Sequence, residues 1–327
     1  MGQPHVAGCA NRHHGRRALT VQLRPFGRTG IEISELTFGT SPLDSESVDV
    51  GEAARSLSLA IERGVNAVES SSARSQSLLG SLLSDNGARH SVHVLARIRS
   101  LVQFDLPSPH IPAQQAYPGA HIRAEVDAML RRLGVDRLAS VFLPDWCAEW
   151  QDEGDWLETL VSLRSDGKVA AFGVSLFDHD ADAGERIVAS GAIQCIATMY
   201  NIFDPGPAER LLPLCQKHGV AVIARAPLYY GALSPTIRAV EPHADWRRDY
   251  FFEDHLRETR SRVSALAADG ADLPGSALRF ALSHPGVSSV AVGMRTAAQV
   301  QQNLSAAEEG PLSTEQLVRL GRHKWLC

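Results

Sequence analysis

The stretch Gly167-Lys168-Val169-Ala170-Ala171-Phe172-Gly173-Val174-Ser175 decides how this chain folds. Its second part, residues 170–175, is a short β-type run; an amphipathic segment near 183–190 follows, and then a second apolar run at 195–200. Strand, helix and strand in that order need a crossover connection and give a parallel pair. The unit repeats in both directions. Before it stand strand-like runs at 34–39, 67–70, 92–98 and 138–143, separated by helical stretches at 50–63, 77–83, 122–133 and 156–165. After it come a helix at 209–218, a strand at 220–224, helices at 252–268 and 276–283, a strand at 289–292 and a helix at 297–306. In the 122–133 segment Val126, Met129, Leu130 and Leu133 recur on a helical period. Close to eight strand–helix units, with no Pro/Gly/Ser linker between halves, predict an α/β fold closed into a (β/α)8 TIM barrel. A two-domain doubly wound sheet competes with it and is weakened by the missing G-x-G-x-x-G turn.

Residues 25–34, two short extended runs around Arg28-Thr29-Gly30, predict an N-terminal β-hairpin that closes the barrel bottom. Ser313-Thr314-Glu315-Gln316 fits a capping box that opens a C-terminal helix ending near His323. Residues 100–120 lack periodicity and carry Pro107, Pro109, Pro112 and Pro118, so this long loop is expected to shape a substrate site. Residues 1–20, with Arg12-His13-His14-Gly15-Arg16-Arg17, read as a flexible tail, leaving 21–327 as a single barrel domain.

Composition excludes several classes. A net charge of −5 gives no nucleic-acid footprint. No apolar run is long enough to span a bilayer, and the first residues lack the apolar core of a signal peptide. Val6 stands where a myristoylation signal wants Ser or Thr. Cys9, Cys147, Cys195, Cys215 and Cys327 are scattered, with neither metal spacing nor C-x-x-C. Reduced thiols, a cytoplasmic location and no bound metal are therefore expected.

In a barrel the reactive groups come from the C-terminal ends of the strands. Those ends supply Thr40, Glu69, Arg74, Arg97, Asp145, Trp146, Ser175, Tyr200, Arg225 and Arg295. Around them runs a series of short motifs. Phe26-Gly27-Arg28-Thr29-Gly30-Ile31-Glu32-Ile33-Ser34 is followed by Gly39-Thr40, Gly64-Val65-Asn66-Ala67-Val68-Glu69 and Leu78-Leu79-Gly80. Then come the 167–175 stretch, Tyr200-Asn201, Ala226-Pro227-Leu228, and Gly293-Met294-Arg295 with Gln299 and Asn303.

In that order and spacing the series resembles the aldo-keto reductase superfamily, from about residue 22 to the C-terminus. The resemblance implies a barrel that reduces carbonyls with a nicotinamide hydride, using an Asp, Tyr, Lys and His tetrad. Here Glu69 stands for the Asp, Arg74 for the Tyr, Arg97 for the Lys and Pro144 for the His, with Asp145 beside it. Glu69 and Arg97 can keep an ion pair, but a guanidinium cannot serve as a general acid near neutral pH. The resemblance also implies that Leu228 and Gly231 line a pyrophosphate, and that Gly293, Arg295, Gln299 and Asn303 meet the 2′-phosphate and adenine. Ser175 keeps one carboxamide contact, while Leu176 and Ala197 replace polar partners. NADP(H) is thus expected to bind weakly or not at all.

The leading expectation is a barrel reassigned to non-redox proton transfer of lyase, isomerase, dehydratase or cyclase type. Arg74, Arg97 and Arg225 would hold a small anionic molecule, Trp146 would line the pocket, and Glu69, Asp145 and Tyr200 would exchange protons. One alternative is an NADPH-dependent carbonyl oxidoreductase with a substitute donor such as Tyr200 or Tyr229. Another is a non-catalytic NADP(H)- or partner-binding protein. The plain readings are an ion pair plugging the mouth for Glu69 and Arg97, a solvated Arg74, and a packing role for Tyr200.

Overall fold

A computed structural model describes residues 21–44, 48–102, 111–234, 247–270 and 272–326. The expected tail at 1–20, Pro107, Pro109, Cys9 and Cys327 lie outside the described residues. Strands β1 (Leu23–Pro25) and β2 (Glu32–Ser34) form an antiparallel hairpin. The strands β3 (Leu36–Gly39), β4 (Ala67–Ser70), β5 (His93–Arg97), β6 (Leu138–Trp146), β7 (Val169–Leu176), β8 (Cys195–Met199), β9 (Ala221–Arg225) and β10 (Ser289–Gly293) follow. They close into one parallel barrel in sequence order, β10 pairing with both β9 and β3. The (β/α)8 expectation is met, with helices between successive strands.

The hairpin plugs the bottom. Phe26 and Ile33 are fully buried and join Ala67, Leu95, Ala171, Ala197 and Ile223 in the barrel interior. Small side chains on most strands leave room for these few large ones, which fill the taper. Gly27 sits at φ +56°, and a Cβ there would lie 2.5 Å from the Gly219 carbonyl oxygen, so only glycine lets the turn seat against β9. Arg28 then donates to the His218 and Gly191 carbonyls at 2.7 and 2.6 Å, capping exposed acceptors at that end.

Strand periodicity positions everything that follows. Ala67 faces the interior and Val68 the helix layer, so Glu69 faces inward at the strand's end. The same alternation turns Arg97 inward after Leu95, Ser175 after Ala171, and Arg225 after Ile223. Tyr200 follows the opposite parity from Cys195 and Ala197, and points to the helix layer.

Two prolines of the 100–120 stretch open helices. Pro112 and Pro118 sit at N-caps, one opening a short helix Ala113–Ala116 and the other the long helix Gly119–Leu133. Proline's fixed φ suits a helix entry and needs no donated amide. Likewise Pro274 starts the helix Leu273–Leu282 earlier than residue 276. Among the described residues no helix is long and apolar enough to cross a membrane.

Candidate active site

Backbone conformation marks the C-terminal rim of the barrel. The described non-glycine residues with positive φ are Asp145, His179, Ala226, Tyr229 and Tyr230. All follow or end β6, β7 or β9. Each such conformation costs about 1–3 kcal/mol and persists where the surroundings impose it, most often at functional sites.

Two ion pairs span the mouth. Arg97 Nη2 lies 2.5 Å from Glu69 Oε1, with both side chains about a fifth exposed. Thr40 Oγ1 donates to the Glu69 carbonyl at 2.7 Å and fixes the end of β4. Across the barrel Arg225 Nη2 pairs with Asp178 Oδ1 at 3.1 Å and donates to the Leu176 carbonyl at 2.7 Å. The Tyr230 hydroxyl donates to the other oxygen of Asp178. Burial disfavours the Arg225 charge, but Asp178, Tyr230 and Glu69 more than offset it, and its pKa lies above the ordinary arginine value. Its Nε is buried without an acceptor among the described residues.

Asp145 feels the charge of both arginines. Burial raises its pKa above the ordinary carboxylate value, Asp178 adds to the rise, and Arg225 and Arg97 oppose it. Tyr117, buried at the end of the proline-containing loop, donates to the Pro144 carbonyl at 2.6 Å. Burial pushes its phenol well above the usual value, the Asp145 charge acts in the same direction, and Ser100 and Arg97 work against it. Beside it opens a cleft of about 480 Å³ lined by Arg99, Ser100, Leu101, His121 and Glu125.

Several sequence expectations are corrected by position. Arg74 is exposed on the first turn of the helix Ala73–Asp85 and forms no ion pair among the described residues. It does not join Arg97 and Arg225. The excess positive charge expected at the mouth is cancelled by Asp178, a carboxylate the tetrad comparison did not count. Tyr200 packs its ring against Phe280 and His284, with centroids at 5.4 and 6.0 Å, so its hydroxyl is not among the rim groups. Trp146 points outward and packs edge-on against Trp150 and Trp156 rather than lining the mouth. Tyr229 is buried under the helix Glu253–Ala268 and bonds His255 Nε2 at 2.6 Å. Tyr250 and His179 extend that polar chain to Asp204. Sequence reasoning missed Tyr117 and Asp178 and read Tyr230 as packing; all three reach the site from segments between the main strands and helices.

The remaining named residues lie at the ends of β7, β9 and β10 and on the elements that follow them. Ser175 is buried beside Ala197. Leu228 and Gly231, the latter at φ +97°, form the turn after β9. Gly293 and Arg295 are exposed ahead of the helix Ala297–Glu308. Gln299 accepts from the Arg295 amide at 2.9 Å and closes a capping box with Thr296. Asn303, one turn further along that helix, is buried, and its Nδ2 has no acceptor among the described residues.

Residues 35–324 match the sequence profile of the Aldo/keto reductase family. The chain belongs to that family. It is 25% identical over 307 residues to the uncharacterized oxidoreductase YqkF of Bacillus subtilis (strain 168), across 92% of this chain and 95% of that one. It is 25% identical over 307 residues to L-galactose dehydrogenase of Arabidopsis thaliana, across 88% and 89%. Among solved structures it resembles the holo form of aldo-keto reductase AKR11C1 from Bacillus halodurans. The TM-score is 0.74 over 94% of this chain and 97% of that one, at 23% identity, a likeness of fold. These relatives overturn the expectation of lyase, isomerase, dehydratase or cyclase chemistry. They are named for oxidation and reduction, and the oxidoreductase alternative is favoured for this aldo/keto reductase family member.

Proposed function

We propose that this family member interconverts a hydroxyl and a carbonyl on a small molecule with a pyridine nucleotide, and that Asp145 exchanges the proton. The observation that carries the reading is Asp145 itself, held at φ +55° at the end of β6 within the electrostatic reach of Arg97 and Arg225, with its carboxyl pKa raised by burial. A carboxyl so placed donates to a carbonyl oxygen during reduction and accepts from a hydroxyl during oxidation. Arg97 and Arg225 supply fixed positive charge where an alkoxide develops, and their own carboxylates hold them in place. The L-galactose dehydrogenase relative supports a hydroxyl-bearing substrate.

The residues present fit a dinucleotide. The buried Nδ2 of Asn303 without an acceptor suits an adenine ring nitrogen, with Gly293, Arg295 and Gln299 beside it. Leu228 and Gly231 would line the pyrophosphate and Ser175 would hold the carboxamide. When bound, the nicotinamide supplies or takes the hydride. Leu176 and Ala197 give that ring fewer polar contacts, which supports modest affinity.

The test is turnover on a panel of aldehydes, hydroxy acids and sugars with each of the oxidised and reduced nucleotides. Wild type is expected to turn over at least one pair, and Asp145→Asn to lower kcat by about 10²–10⁴-fold with little change in KM. Full activity in Asp145→Asn moves the proton elsewhere, with Tyr117 next in position. Neither turnover nor nucleotide binding would sink the oxidoreductase reading.

A further inference from the structure

At the N-terminus of the helix Ala297–Glu308 the amides of Arg295, Thr296, Ala297 and Gln299 are already engaged. Gln299 Oε1 takes the Arg295 and Thr296 amides at 2.9 and 3.3 Å, and Thr296 Oγ1 takes the Gln299 amide at 3.3 Å. The Ala297 amide donates at 2.9 Å to Glu52 Oε1, from the helix Val50–Glu62. A carboxylate therefore sits where an anion-binding helix end would otherwise take a phosphate. The Ala297 amide and then Arg55 hold Glu52 below the ordinary carboxylate pKa, so it is ionised at neutral pH.

Glu52 is not there by the chance swing of a side chain. Its helix is pinned along the rim: the Ser56 hydroxyl donates to the Met294 carbonyl. At the far end Arg63 bonds Gln301 and Glu308 at 3.1 and 3.0 Å. The second oxygen of Glu52 accepts from Arg55 Nη2 at 2.6 Å. Independently, on the same helix, the buried Nδ2 of Asn303 has no acceptor among the described residues, a donor left for a ligand to satisfy.

We propose that Glu52 makes this chain select NAD(H) over NADP(H), accepting a hydrogen bond from a free ribose 2′-hydroxyl and repelling a 2′-phosphate. This rests on the reading of residues 293–303 as part of a dinucleotide site. A hydroxyl can donate to a carboxylate whose lone pairs are only partly used. A phosphate can donate to neither carboxylate oxygen, finds the Ala297 amide taken, and meets like charge at contact distance. The exposed Arg295 offers it attraction in water, where an ionic contact is weak.

The experiment is a calorimetric titration of the full chain with NADH, NADPH, 5′-AMP and 2′,5′-ADP. The last two isolate the effect of the 2′-phosphate. Wild type is expected to bind NADH and 5′-AMP at least about tenfold more tightly than their 2′-phosphorylated counterparts, or about 1.4 kcal/mol. Glu52→Gln, shown folded by its thermal transition, is expected to shift that ratio about tenfold toward the phosphorylated ligands. A wild type that prefers NADPH or 2′,5′-ADP, or a ratio unmoved by Glu52→Gln, overturns the selection while leaving dinucleotide binding intact. If none of these ligands binds, the dinucleotide reading fails and this proposal falls with it.

Discussion

Breaking the Glu69–Arg97 pair tests whether the altered rim is a built electrostatic unit. Two unit charges about 4 Å apart attract by about 4 kcal/mol at an effective dielectric near 20, before the cost of taking them out of water. Removing one partner of a fully buried pair costs about 3–5 kcal/mol, and exposed pairs contribute only about 0.2–1 kcal/mol. This pair has side chains 22% and 16% exposed at 2.5 Å, which places it nearer the buried case. Arg225 still faces Glu69 after Arg97 is lost and softens the penalty. The expected cost of Arg97→Gln is therefore about 2 kcal/mol. Glu69→Gln should cost about as much, and the double variant should recover part of it, leaving a coupling energy of about 1–2 kcal/mol. Urea unfolding followed by both fluorescence and circular dichroism measures this wherever the two transitions coincide. If the two single changes add within about 0.3 kcal/mol, the charges do not interact and the rim is not held as described.

Tyr230→Phe removes the hydroxyl that donates to Asp178 and should cost about 1–2 kcal/mol in the same unfolding assay; a change below about 0.3 kcal/mol would mean that Asp178 is satisfied without it. Gly173→Ala should abolish soluble folded protein, because a Cβ there would lie 1.6 Å from the Cys195 carbonyl oxygen of the adjoining strand; a variant that melts like wild type would contradict the register of β7 and β8. Acid should weaken the fold below about pH 6.5. Burial lowers His93, His255 and His284 beneath the ordinary value of 6.5, with His179 adding to the effect at His255, so the unfolded chain takes up protons before the native one and stability is lost as pH falls through that range. Asp145 and Asp180, both raised by burial, act in the opposite sense, and a melting temperature that holds or rises from pH 7.5 to 5.5 would refute the balance.

The barrel was legible because its signal is local and repeated. Each strand–helix unit carries its own period, and an error at one boundary leaves the others intact. The inner face of each strand was legible for the same reason. Counting by two from Cys195 and Ala197 already turns Tyr200 away from the mouth, so its placement among the acid–base candidates was correctable from sequence alone. The partners were not legible. Asp178 meets Arg225 across 47 residues, Tyr230 meets Asp178 across 52, and Glu52 meets Ala297 across 245. None of these contacts leaves a periodic trace, since loops and helix ends are positioned by the closed barrel and not by their own pattern. Reading only the positions of the family tetrad set three arginines against Glu69 and left out Asp178, and so suggested an open anion site. With Asp178 and Asp145 included, the mouth holds two guanidiniums among three carboxylates, one of them with a raised pKa. That arrangement suits the gain and loss of a proton beside fixed positive charge better than the capture of an anion. It is why these rim residues are compatible with the redox chemistry for which this chain's relatives are named.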